Sequence, residues 1–129
     1  MPRRRLAVLV LLVAVASVSC ASPRNVLGTR ESTCFRAYPV AKSEVQRGVF
    51  VGARPVEPST AKKTLPALEA VPSRHACLVA FRGDFTSPDV RLAHNAPAGR
   101  YAVVVVTTSD YKAVAAVLLD ELPRGFRRS

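Results

Sequence analysis

Arg100-Tyr101-Ala102-Val103-Val104-Val105-Val106-Thr107 is the stretch whose reading decides the fold. Four consecutive valines and a flanking tyrosine and threonine are strong strand formers. The run is apolar at odd and even positions alike, so as a strand it presents apolar side chains to both sides. Such a strand belongs in the middle of a sheet, with both of its faces covered. The rest of the chain can be arranged around it.

Toward the C-terminus, Lys112–Leu119 admits two conformations. It can be a strand that returns along the first one through a turn at Ser109-Asp110-Tyr111. It can also be a helix capped by Ser109, with Tyr111, Val114, Ala115, Leu118 and Leu122 on one face. Ala113, Ala115 and Ala116 favour the helix. Asp120 and Glu121 disfavour it, because they would lie at the negative end of the helix dipole. The hairpin is the preferred reading. Pro123 and Gly125 stop the element in either case, and Phe126 is expected to fold back onto the core.

Toward the N-terminus, Thr86–Gly99 contains Pro88 and Pro97 and reads as a long loop of the kind that often carries function. Ala76-Cys77-Leu78-Val79-Ala80-Phe81 reads as a second strand, with Arg82-Gly83-Asp84 turning out of it. Ala61, Leu65, Leu68 and Val71 recur at helical spacing after a possible cap at Ser59 or Thr60. Pro66 interrupts that pattern, which predicts two short turns or a kinked helix closed by Pro72. Gly48–Ala53 reads as a further strand ended by Pro55 and Pro58, and Tyr38–Arg47 as a short helix. The expectation is an α+β fold. A small antiparallel sheet of three to four strands (76–82, 100–107 and 112–119, joined by one near 48–53) is covered by one or two short helices.

The chain has 129 residues, enough for one domain, and a net charge of +10 from 19 basic and 9 acidic residues. Its first residues have the layout of a bacterial export signal: Arg3-Arg4-Arg5, then thirteen uncharged residues from Leu6 to Val18, then the small residues Ser17, Ser19, Cys20 and Ala21. As a helix that apolar run rises about 20 Å, short of the roughly 30 Å of a bilayer core. Ala16-Ser17-Val18-Ser19-Cys20 resembles the lipobox of bacterial lipoproteins, in which the cysteine receives a diacylglyceryl group and becomes the new N-terminus. Ser17 stands where leucine is commonest, so ordinary cleavage after Ala16 or Ala21 is the competing reading. The expected organisation is a signal peptide over 1–19, lipidation at Cys20, a tether over 20–32 and one domain over 33–129. Removing the three leader arginines leaves 16 basic against nine acidic residues, a charge of +7.

With Cys20 lipidated, Cys34 and Cys77 remain, and two cysteines outside the cytoplasm read as one disulfide. The rival is a reactive Cys77 served by His75, two residues earlier, since both would share one face of a strand. That would make the protein a thiol-dependent enzyme or redox factor.

The remaining motifs are weak. Arg82-Gly83-Asp84 matches an adhesion tripeptide, but a strand-ending turn accounts for its glycine and aspartate. His75, His94, Asp84 and Asp89 lack the paired spacing that holds a metal. There is no Gly-x-Ser-x-Gly elbow and no phosphate-binding glycine loop. Asp120 and Glu121 are adjacent and would point to opposite faces of a strand, unsuited to paired-carboxylate chemistry. Basic residues are dispersed and aromatic residues few, which argues against nucleic acid as a partner. No catalytic residue, metal or cofactor is expected.

The segments Cys77–Phe85, Gly99–Val106 and Val117–Pro123 together resemble small uncharacterised exported proteins of GC-rich Gram-positive bacteria. The resemblance covers the C-terminal half. It implies the hairpin rather than the helix, and it implies no activity, because the group has none assigned. The functional expectation is a non-enzymatic envelope protein on the outer face of the cytoplasmic membrane, or secreted. Its contact would be the basic surface or the 86–99 loop, and its partners anionic lipid headgroups or cell-wall polymers.

Overall fold

The computed structural model describes residues 30–126, with side chains from Thr33 onward. Nine elements follow in order: helices α1 (Arg30–Arg36) and α2 (Tyr38–Val45), strand β1 (Val49–Val56), helix α3 (Pro58–Thr64), strand β2 (Ala76–Thr86), a 3-10 turn (Ser87–Asp89), strands β3 (Ala98–Thr107) and β4 (Ala113–Leu119), and a last 3-10 turn (Arg124–Phe126). The strands form one antiparallel sheet in the order β1-β2-β3-β4, so the fold is α+β and β3 lies inside the sheet as its composition requires.

The two faces of the sheet carry separate cores. On the first, Cys77, Val79, Phe81, Ala102, Val104, Val106, Ala116 and Leu118 lie beneath Cys34 of α1, Ala37 between the helices, and Ala41 and Val45 of α2. Tyr38, Phe50 and Phe81 pack there edge-on or tilted, with ring centroids 5.1 to 6.2 Å apart. On the second face, Ala76, Leu78, Ala80, Val103, Val105 and Val117 lie beneath Val56, Ala61, Leu65, Leu68 and Phe126. Residues 102–107 of β3 are buried throughout. Phe126 folds back as expected and is 5% exposed.

The Lys112–Leu119 ambiguity resolves as a strand. Ala116, Val117 and Leu118 stand opposite Val104, Val103 and Ala102. The hairpin is fixed by the Thr107 amide donating to the Lys112 carbonyl at 2.9 Å, and by the Thr107 hydroxyl donating to the Asp110 carboxylate. Tyr111 takes a left-handed φ of 50° to close the turn.

Several boundaries differ from the sequence reading, each for a local reason. β1 runs through Pro55 to Val56 rather than stopping before it. An edge strand tolerates a missing N–H, which a central strand does not. β2 runs through Arg82-Gly83-Asp84 to Thr86. A bulge there sets Gly83 and Asp84 against the single residue Arg100 on β3, and this carries Phe85 into the core at 1% exposure. α3 begins at Pro58, not at a Ser59 or Thr60 cap, and ends at Thr64. Pro66 forces the preceding Leu65 out of helical geometry, to φ −133° and ψ 81°. Leu65 and Leu68 are still buried, while Val71 is not. β3 begins at Ala98 and absorbs Gly99, where a Cβ would come within 2.8 Å of the Leu119 amide nitrogen. α1 begins at Arg30, three residues inside the range read as a tether.

Candidate functional site

Cys34 on α1 and Cys77 on β2 are brought together, with their Cα atoms 5.4 Å apart and their sulfurs bonded at 2.08 Å. Both are 0% exposed. α1 is held there because Cys34 lies on its inward side, followed by buried Ala37 at the start of α2, and Cys77 points toward it from the strand position between Leu78 and Ala76, which face the other way.

Beside the bridge lies a cleft of about 410 Å³, where the end of β1, the start of β2, the end of β3 and α3 converge. Its apolar floor is formed by Pro55, Val56, Ala76 and the two cysteines. Its polar wall holds Thr33, Arg54, Glu57, Thr60, Thr64, His75 and Thr108. Two of those hydroxyls are committed to the backbone. Thr60 donates to the Glu57 carbonyl at 3.3 Å, and Thr108 donates to the His75 carbonyl at 3.1 Å. The His75 carbonyl also accepts from the Thr108 amide. Such a wall can hydrogen-bond a small polar molecule. Its cysteine sulfurs are bonded to one another, so neither is an available thiolate nucleophile.

A second concavity of about 260 Å³ runs along the outer edge of β1, from Phe50 to Pro55. Phe35 of α1 forms one wall, and Gly125 and Phe126 form the other. The Arg54 guanidinium carbon lies 6.0 Å from the Phe126 ring centroid, a cation–π distance.

Two carboxylates have lowered pKa values, and both stabilise turns. The Thr86 amide holds the Asp89 carboxyl below the usual range, aided by the Thr86 hydroxyl and by Arg47, each at 2.8 Å. The Thr107 hydroxyl does the same for Asp110.

The sequence-expected residues are therefore partly assembled. Cys20 lies outside the described residues. Cys34 and Cys77 meet, whereas His75 lies exposed just before β2 and has no free Cys77 thiol to serve. The 86–99 segment is anchored to the core by Val90 and Ala93, which are buried, while Thr86, Pro88, Arg91, His94, Pro97 and Ala98 are exposed. The Asn95 side chain grips the Leu118 backbone, accepting from its amide at 2.9 Å and donating to its carbonyl at 2.8 Å. His94, Asp84 and Asp89 do not converge, and among the described residues no three His, Cys, Asp or Glu side chains do. Sequence reasoning missed Arg54, Glu57, Thr60, Thr64 and Thr108. The first four come from the single stretch 54–64 and Thr108 from just past the far end of β3, and no motif joins the two. No helix among the described residues is long and apolar enough to cross a membrane. No family model, curated protein or solved structure matches this chain.

Proposed function

We propose that this chain is an exported cell-envelope protein that acts without catalysis, as a binding or structural module at the membrane surface. A lipid on Cys20 fixes it to the outer face of the cytoplasmic membrane, and anionic lipid headgroups or cell-wall polymers are its contacts. The observation that carries this reading is the fully buried Cys34–Cys77 bridge. A cross-link between two covered layers is compatible with a chain that matures in an oxidising compartment. It agrees with the basic, apolar, small-residue order of the leader. The resemblance of the C-terminal half to small exported proteins of GC-rich Gram-positive bacteria belongs to the same reading.

Intact-mass measurement of the protein from its native cells tests it. The expected species begins at Cys20, carries the mass of two or three acyl chains, and lacks the two hydrogens of one disulfide. A chain that still starts at Met1 with three reduced thiols overturns it. A titratable, reactive Cys77 in the exported protein would instead support thiol chemistry.

A further inference from the structure

We infer that the outer edge of β1, the edge strand of the sheet among the described residues, is the face this protein applies to an anionic lipid surface. This rests on the lipid-anchored reading above and names its contact. Nine residues separate Cys20 from Arg30, the first residue of α1. Fully extended they reach at most about 35 Å, so a lipid on Cys20 keeps α1 close to the bilayer. α1 packs on β1, and Phe35 lies only about 7.5 Å along the helix from Arg30. Two concavities therefore lie close to the tether along the chain, the disulfide cleft through Thr33 and Cys34 and the β1 groove through Phe35. Glu57 in the wall of the cleft makes it the poorer match for an anionic surface.

The chemistry of the β1 groove fits a headgroup layer. Phe35 is 57% exposed and Val49, at the start of β1, is 59% exposed. Phe35 stands 6.4 Å from Phe50, so the exposed ring continues into the core aromatics. Among the described residues no acidic side chain lines the groove, while Arg54 does. Arg36 and Arg124, next in sequence to its two walls, are exposed, and the sequence continues as Arg127-Arg128. Exposed aromatic residues rimmed by arginines suit an interface where rings enter the headgroup layer and guanidinium groups meet phosphate. An added β-strand is a poorer occupant. Pro55 lacks an N–H, and the bulge between Phe50 and Gly52 breaks the ladder such a strand would need.

Vesicle sedimentation tests this with the chain from Ala21 onward, which contains every described element and both bonded cysteines. A cooperative thermal melt like the parent's certifies each variant as folded. Binding to vesicles of phosphatidylglycerol and phosphatidylcholine is expected, with little to phosphatidylcholine alone. Phe35→Ser and Arg36→Gln should each weaken binding about fivefold, the loss of about 1 kcal/mol per contact at a charged lipid surface. Lys62→Gln, on the helix covering the opposite face of the sheet, should change it much less.

No sedimentation at low salt overturns the inference. So does an equal loss in Lys62→Gln and Arg36→Gln with Phe35→Ser neutral, which indicates undirected charge attraction. Binding that salt abolishes and Phe35→Ser leaves intact also overturns it, because the aromatic edge then takes no part in the contact. The tested chain carries no acyl group, so these results are independent of the intact mass that decides lipidation.

Discussion

The two faces of the sheet bury similar strands beneath dissimilar covers. Val79, Val104 and Val106 lie under two consecutive helices, an aromatic cluster and a disulfide. Leu78, Val103 and Val105 lie under one helix of seven residues and an irregular segment held by Leu65 and Leu68. None of these helices is long enough to be stable alone. Each cover reduces the entropy lost on folding in its own way. The disulfide restricts the unfolded chain between positions 34 and 77. Pro55, Pro58, Pro66 and Pro72 each restrict one backbone angle within or beside the second cover. The strands do not dictate what covers them. They require only that apolar anchors arrive at the right places and that ordering the chain be made less costly.

The largest effect should come from removing the bridge. A Cys34→Ala/Cys77→Ala double variant is expected to lose about 4 kcal/mol, the chain-entropy value for a 43-residue separation. That is a large fraction of the stability of an ordinary domain. Calorimetry would read it as a fall in Tm on the order of 20 °C. Hydrogen exchange should quicken first in α1, with β2 and β3 last. Equal loosening of residues 65–68 would show that the bridge supports both covers alike.

Leu65→Ala or Leu68→Ala should cost about 3 kcal/mol each in denaturant melts. The disulfide should stay intact and α1 protected. If α1 loosens as much as α3, the two covers are one cooperative unit.

Asn95→Ala is a smaller perturbation at the other end of the sheet. It leaves the Leu118 amide and carbonyl without their side-chain partner, at about 1–2 kcal/mol. It also uncovers the edge of β4, so size-exclusion chromatography at rising concentration should show self-association absent from the parent. A monomeric variant of unchanged stability would show that the clamp is dispensable.

The smallest effects concern pH. Asp89 and Asp110 have folded-state pKa values below the ordinary 3.8, so their contributions are complete above that pH. They disappear as pH falls below 3.8 through the lowered folded values. Asp89 ties the corner after α2 to the turn after β2 through Arg47. Asp89→Asn should therefore flatten the acid limb of a Tm–pH curve. Asp110→Asn, at the hairpin, should do the same without affecting α2. Identical acid limbs in the parent and both variants would remove the carboxylates from the account.

Much of this architecture was legible in the sequence. Val103–Val106 announced a central strand, and Ala61, Leu65 and Leu68 announced buried positions even where the helix they implied was broken. The pairing of Cys34 with Cys77 is expected once Cys20 is assigned to the leader's lipidation site, with a reactive Cys77 as the rival reading. Less legible was the path of β2 through Arg82-Gly83-Asp84, because a bulge that returns Phe85 to the core has the composition of a turn. The hairpin over 107–113 was ambiguous because alanines favour a helix locally, whereas pairing with β3 buries three side chains at once. The cleft beside the disulfide was not legible at all, since Arg54, Thr64, His75 and Thr108 are neighbours only across strands.

By itself the sequence determined the class of fold, the identity of its central strand and the apolar positions that must be buried. Those follow from side-chain hydrophobicity and period, which are properties of neighbouring residues. Only the tertiary structure decided where the strands end, which segment covers which face, and which polar groups meet at the disulfide end and along the β1 edge. Those depend on contacts between residues far apart in the chain, whose free energy of burial and pairing outweighs local preference.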